Sequence, residues 1–153
     1  MAGEFIFTLL VSMIPVVELR GGIPFGVVTL DLPYPVAFMA AVIGNILPTP
    51  FIIVYIRRIF QWMRQKLPRL DGMVDSLENK AHLKGRLVNK YKYLGLLLFV
   101  GIPLPGTGAW TGSMVAAFLD MRLRTALPSI ILGVIAAGLI MTGLTALGVN
   151  MFA

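Results

Sequence analysis

The chain carries one pattern twice, and each time the pattern interrupts an apolar run. Ile14-Pro15 and Ile102-Pro103 each lie inside such a run. Glu18-Leu19-Arg20-Gly21-Gly22-Ile23-Pro24 follows the first pair, and Pro105-Gly106-Thr107-Gly108-Ala109-Trp110-Thr111-Gly112 follows the second. Leu30-Asp31 and Leu119-Asp120 come next, then long apolar segments in which Gly44 matches Gly133. The offset is 88 residues at the Ile-Pro pairs and 89 at the later ones, so one insertion aligns the copies. Two broken-helix repeats in a hydrophobic chain are a pattern of membrane transporters, whose interrupted helices build sites near the bilayer midplane.

The membrane assignment rests on the scarcity of polar residues. Of 153 residues, 58% are hydrophobic and 13% charged, too few to cover the surface of a soluble domain. Met1-Ala2-Gly3-Glu4 places no basic residue ahead of the first apolar run, so a cleavable signal peptide is not expected. With no cysteine there is no disulfide, thiolate nucleophile or cysteine-bound metal. The net charge of +6 could point to nucleic acid, but ten of the thirteen Lys and Arg lie between Arg57 and Lys92. A basic loop between apolar segments reads as a cytoplasmic loop under the positive-inside rule, and a nucleic-acid partner is not expected.

Span lengths then set the architecture. Phe5 to Val17 holds 13 residues, about 20 Å of helix against a hydrocarbon core of about 30 Å. It is too short to cross, and reads as one limb of a re-entrant hairpin whose tip is Glu18 to Pro24 and whose second limb is Phe25 to Leu30. Val36 to Ile56 is long enough to span, with a kink at Pro48 and Pro50. Leu94 to Leu104 is again short, with its break at Pro105 to Gly112 and its second limb at Ser113 to Leu119. Ala126 to Val149 is the last span. The loop carries helical spacing at Phe60, Met63, Leu67 and Leu70, and again at Leu83 and Leu87, as amphipathic pieces along the interface do. The expected fold is thus an all-α integral membrane protein, residues 1–153 forming one domain. It has two inverted repeats, each a re-entrant helical hairpin followed by a transmembrane helix. Repeat 1 covers about 5–56, the cytoplasmic loop 57–92, and repeat 2 about 93–149. Re-entrance leaves Arg122 and Arg124 on the cytoplasmic side, whereas four full crossings would put them outside.

Glu18 and Arg20 stand out chemically. An ionised group at mid-bilayer costs roughly 2.5 kcal/mol or more, so two at one break imply a polar cavity or a mutual salt bridge. The carboxylate is a candidate proton carrier, and the guanidinium fork a candidate contact for phosphate or carboxylate. Gly21, Gly22, Pro24, Pro105, Gly106 and Gly108 supply backbone breaks, and the half-helix N-termini so exposed favour anions. Thr107 and Thr111 add hydroxyls. Trp110 either lines a path or packs on lipid. Asn45 and Thr49, one turn apart, face the cavity or bond across helices. Asp120, Arg122 and Arg124 read as a topology anchor. His82 has no second ligand, and no nucleophile and base pair or phosphate-binding loop appears. Neither enzyme activity, nor a metal, nor a cofactor is expected.

At Pro15-Val16-Val17-Glu18-Leu19-Arg20-Gly21-Gly22-Ile23-Pro24 and Pro103-Leu104-Pro105-Gly106-Thr107-Gly108-Ala109-Trp110-Thr111-Gly112, with Gly44-Asn45 in the first span, the chain resembles the prokaryotic small multi-drug export protein family. That family is distantly similar to the DedA superfamily. The resemblance implies a multi-pass protein of the prokaryotic inner membrane, with two re-entrant hairpins meeting inside the bilayer and an important glutamate and arginine. It implies proton-coupled movement of a small amphipathic drug, or translocation of undecaprenyl phosphate or a phospholipid. A non-transporting scaffold that recruits membrane lipids or a partner is the rival. One copy is small to enclose a pathway, so a homo-oligomer, in the first place a dimer, is expected.

Overall fold

A computed structural model describes residues 1–76, 78–80 and 93–152, which form helices joined by turns, with no strand among the described residues. The helices are α1 (Ala2–Ser12), α2 (Glu18–Pro24), α3 (Tyr34–Ile46), α4 (Thr49–Lys66), α5 (Tyr93–Gly101), α6 (Ala109–Phe118) and α7 (Leu123–Phe152). A π-helical turn, Phe25–Thr29, prolongs α2, and a 3₁₀ turn, Pro68–Leu70, follows α4. Two stretches, Tyr34–Lys66 and Leu123–Met151, are long and apolar enough to cross a membrane, with mean hydropathies of 2.0 and 2.3 over their best windows.

Each short helix folds back on the limb that follows it. Gly22 lies against Ser12, and Gly26 against Thr8, where an added Cβ would come within 2.9 Å of the hydroxyl. The rings of Phe7 and Phe25 lie 6.4 Å apart on the same seam. Thr8 and Ser12 can be buried there because each hydroxyl bonds a carbonyl one turn back, on Glu4 and Thr8. In the second half Gly112 packs on Val100, which stands 88 residues after Ser12.

The same correspondence governs the long helices. α1 packs along α3 and α5 along α7. Gly44 is the close point of the first pair, resting on the backbone of Leu9. Gly133 is the close point of the second, where a Cβ would stand 2.9 Å from the carbonyl of Leu97 and 2.8 Å from Val100. Leu97 stands 88 residues after Leu9, the offset of the two Ile-Pro pairs. The corners after each second limb also match: Asp31 and Asp120 both adopt left-handed backbone, φ +50 and +56, at the end of a helical limb. α2 packs on α7 while α6 packs on α4, so each second limb is buried against the other half's long helix. The apolar core between them is Leu19, Ile23, Leu96, Val115, Ile130 and Val134 with their neighbours.

Several boundaries differ from the sequence expectation. Glu18 to Pro24 is helix, not break; the chain turns at residues 13–17, where Pro15 cannot continue α1. Gly21 and Gly22 therefore serve close packing rather than a turn. Pro24 sits inside the limb, and having no N–H for the turn before it, is followed by the wider π-helical turn. The second break is shorter than read, because α6 begins at Ala109. Helix also continues ten residues past Ile56 to Lys66: the spacing of Phe60 stays in phase with the span, and Phe60 is buried against Phe118, rings 5.7 Å apart. Arg64 then holds Asp75 and Glu78 at 2.6 and 2.7 Å, folding the following segment back on α4. Leu83, Leu87 and His82 lie outside the described residues.

Replacing Gly133 with Ala forces α5 and α7 apart. In thermal unfolding of the detergent-purified protein it should cost about 1–3 kcal/mol. Gly143→Ala, on the same helix with nothing within 4 Å, should leave stability unchanged or raise it by up to about 1 kcal/mol.

Candidate functional site

The two chain breaks, some ninety residues apart in sequence, meet. The turn at residues 13–17 ends on Glu18, held at φ +49, a backbone that residues other than glycine rarely adopt. This conformation turns the Glu18 side chain inward, and the residue is only 4% exposed. Across from it, Gly106 and Gly108 at φ +78 and +138 turn the second break into the start of α6. Glu18 Oε1 accepts the backbone N–H of Trp110 at 3.1 Å, with the Ala109 amide beside it. The carboxylate thus sits on the N-terminus of α6, where unpaired amides and the helix dipole favour negative charge. Gly108 crosses directly over it: a Cβ there would stand 2.7 Å from Glu18 Cδ.

Arg20 and Trp110 complete the junction. Arg20 Nη2 donates to the carbonyl of Thr107 and lies 3.1 Å from its hydroxyl. That hydroxyl is within 2.8 Å of the carbonyls of Ile102 and Leu104, so it knits the second turn together. The Trp110 indole donates through Nε1 to the carbonyl of Met13 at 3.0 Å. Glu18 and Arg20 do not pair with each other among the described ion pairs; each reaches across to the opposite break. In place of a direct salt bridge, Glu18 bonds the Trp110 amide and Arg20 bonds the carbonyl and hydroxyl of Thr107, so each charge is held by the opposite break.

The other sequence-selected residues fall around or away from this point. Gly21 and Gly22 pack inside the first hairpin, and Pro24 lies further along its second limb. Pro105 and Gly106 form the exposed edge of the second turn, and Thr111 is half-buried on α6. Asn45 is 1% exposed, and among the described residues its two amide atoms are the buried side-chain atoms with no hydrogen-bond partner. Such a group costs on the order of 1–3 kcal/mol. Beside the junction opens a groove of about 480 Å³ lined by Met13, Leu47, Pro48, Phe51, Tyr55 and Trp110 with neighbouring isoleucines. The interruption of the long helix at Leu47–Pro48 is therefore level with both turns.

Sequence reasoning missed two contributors. Met13 contributes only a carbonyl, which no side-chain pattern announces. Arg57, read as the start of the loop, donates to Asp120 and, at 3.1 Å, to the carbonyl of Phe118. It caps α6 at the end opposite Glu18, where cations are favoured.

Compared with known proteins, residues 18–140 match a family model described as "Putative small multi-drug export protein". No curated protein and no solved structure matches the chain.

If the junction is as tight as its geometry, Gly108→Ala should be among the most damaging single-methyl additions. It adds strain at φ +138 to a clash with the carboxylate, and should cost at least about 2 kcal/mol in thermal unfolding. Trp110→Phe removes the indole bond together with part of the ring's packing and should cost at least about 1 kcal/mol.

Proposed function

The chain belongs to the small multi-drug export protein family, and from that premise we propose that it carries a small amphipathic molecule across the prokaryotic inner membrane, driven by protons. The two folded-back limb pairs act as re-entrant hairpins. The repeats are inverted, and the basic segment 57–92 faces the cytoplasm. What carries this reading is the meeting of both breaks around Glu18, a buried carboxylate bonded to the start of α6. Matched packing at Gly44 and Gly133, and matched corners at Asp31 and Asp120, support the repeat.

The mechanism follows from what holds the junction. Ionised, Glu18 grips the Trp110 amide with a charge-assisted bond, about twice as strong as a neutral one. Taking up a proton weakens that grip, and the α6 end of the second hairpin moves relative to the first. Alternation between these states opens the groove beside Trp110 to one side and then the other. Arg20 keeps the second turn in register through Thr107. Movement of this kind needs no covalent step, and the reading is therefore of a carrier.

A second reading is favoured by one observation. A carboxylate already seated on a helix N-terminus marks that place as an anion position. A lipid phosphate taking the place of Glu18, with Arg20 released from Thr107, would make the protein a translocator of an anionic lipid.

The test is flux into liposomes holding the purified protein, with and without an imposed proton gradient. Ethidium and a fluorescent anionic phospholipid serve as probes. Gradient-dependent movement of either should fall about tenfold or more in Glu18→Gln, with unchanged helix content. Undiminished flux in that variant removes the proton role, and no flux of either probe favours a non-transporting scaffold.

A further inference from the structure

The two halves differ at one buried position in a way their common packing does not require. Asn45 follows Gly44, and at the matched place Val134 follows Gly133. Both are buried, at 1% and 0% exposure. An apolar side chain fills this position in one half, so the other half has no packing need for an amide. Yet the Asn45 amide has no protein partner at either atom. Buried polar groups in native proteins are paired with protein, water or an ion.

The backbone differs at the same place. α7 runs unbroken through the matched region, whereas α3 stops at Ile46 and α4 restarts at Thr49. Pro48 and Pro50 have no N–H to return to the carbonyls of Gly44 and Ile46. Thr49 is fully buried one turn beyond Asn45, and its hydroxyl lies 3.3 Å from the Asn45 carbonyl, a weak bond that leaves its lone pairs available. Neutral oxygens thus collect at an interruption of a long apolar helix, in a stretch from Val36 to Ile56 with no charged residue.

We propose that this interruption is a binding site for a monovalent cation of the size of Na⁺. Its ligands are Asn45 Oδ1, Thr49 Oγ1 and the Gly44 carbonyl. Leu47 and Pro48 keep right-handed helical dihedrals, so the interruption is a proline kink, and the carbonyl oxygens it frees, beside an amide and a hydroxyl oxygen, suit a monovalent cation without a carboxylate. A divalent ion would need the carboxylate oxygens that this stretch lacks. The site is level with the junction, because Leu47 and Pro48 share a groove with Met13 and Trp110. Binding there is independent of the transport reading and is measured without flux.

The experiment is thermal unfolding of the full chain in detergent, in NaCl and in choline chloride at equal ionic strength. The wild type should unfold at a saturably higher temperature in Na⁺, by roughly 5 °C. Asn45→Val, the side chain the chain itself uses at the matched position, should lose the Na⁺ response and unfold in choline no earlier than wild type. Thr49→Val, at a second ligand, should likewise lose the response and keeps the test open if the first variant does not fold. Equal unfolding temperatures of the wild type in both salts would mean a bound water only and overturn the proposal. So would a Na⁺ response that survives both substitutions.

Discussion

A carboxylate buried in a chain this apolar must be satisfied by the chain itself. Glu18 has little access to solvent, and an unpaired charge at such depth costs several kcal/mol. The amides at the start of α6 offset that cost, because they are the ones a helix leaves without partners. A hydrogen bond to a charged group contributes about 1.5–3 kcal/mol, enough to make the position of the second hairpin depend on the first. Strain at Glu18 and the left-handed turns at Gly106 and Gly108 are the backbone conditions for this contact. Local conformation, long-range packing and the proposed proton response therefore meet in one bond. Family membership and the two long apolar helices agree with a membrane protein of an export family.

Around that junction the two halves share a plan and depart from it in few places. Each half has a folded-back limb, a left-handed aspartate corner and a glycine that brings the first limb against the long helix. Corner Asp120 is held by Arg57, whereas among the described residues Asp31 has no such ion pair. The long helix is interrupted only in the first half, where the unpartnered Asn45 lies. These two structural differences, the corner ion pair and the helix interruption, lie at opposite places in the fold. They fix the α6 corner at one end and place a polar interruption beside the junction at the other.

Much of this was legible in the sequence, because prolines and charged residues in apolar runs have few physical solutions. The doubled Ile-Pro pairs mark both chain reversals, and Glu18 and Arg20 mark the junction. Thr107, Gly108 and Trp110 stand in the second break, where the structure uses them. Glycine was less legible. Its freedom serves a turn at Gly106 and Gly108 but close packing at Gly21, Gly22 and Gly112, and composition cannot tell the two uses apart. Helix α4 runs ten residues past Ile56, where charge alone suggests a loop. The apolar face through Phe60 kept the helix going while Arg57 turned to cap α6. Backbone partners such as the Met13 carbonyl leave no trace in residue identity.

Amide hydrogen exchange at Trp110 tests the central bond most directly. With Glu18 in place, the Trp110 N–H should exchange slowly although it lies in the first turn of α6, where no intrahelical carbonyl protects it. Glu18→Ala should speed that exchange by about tenfold or more, while amides in the middle of α7 keep their rates. Rapid exchange in the unaltered protein, or equal protection after the substitution, would contradict a fold organised around Glu18 at the start of α6.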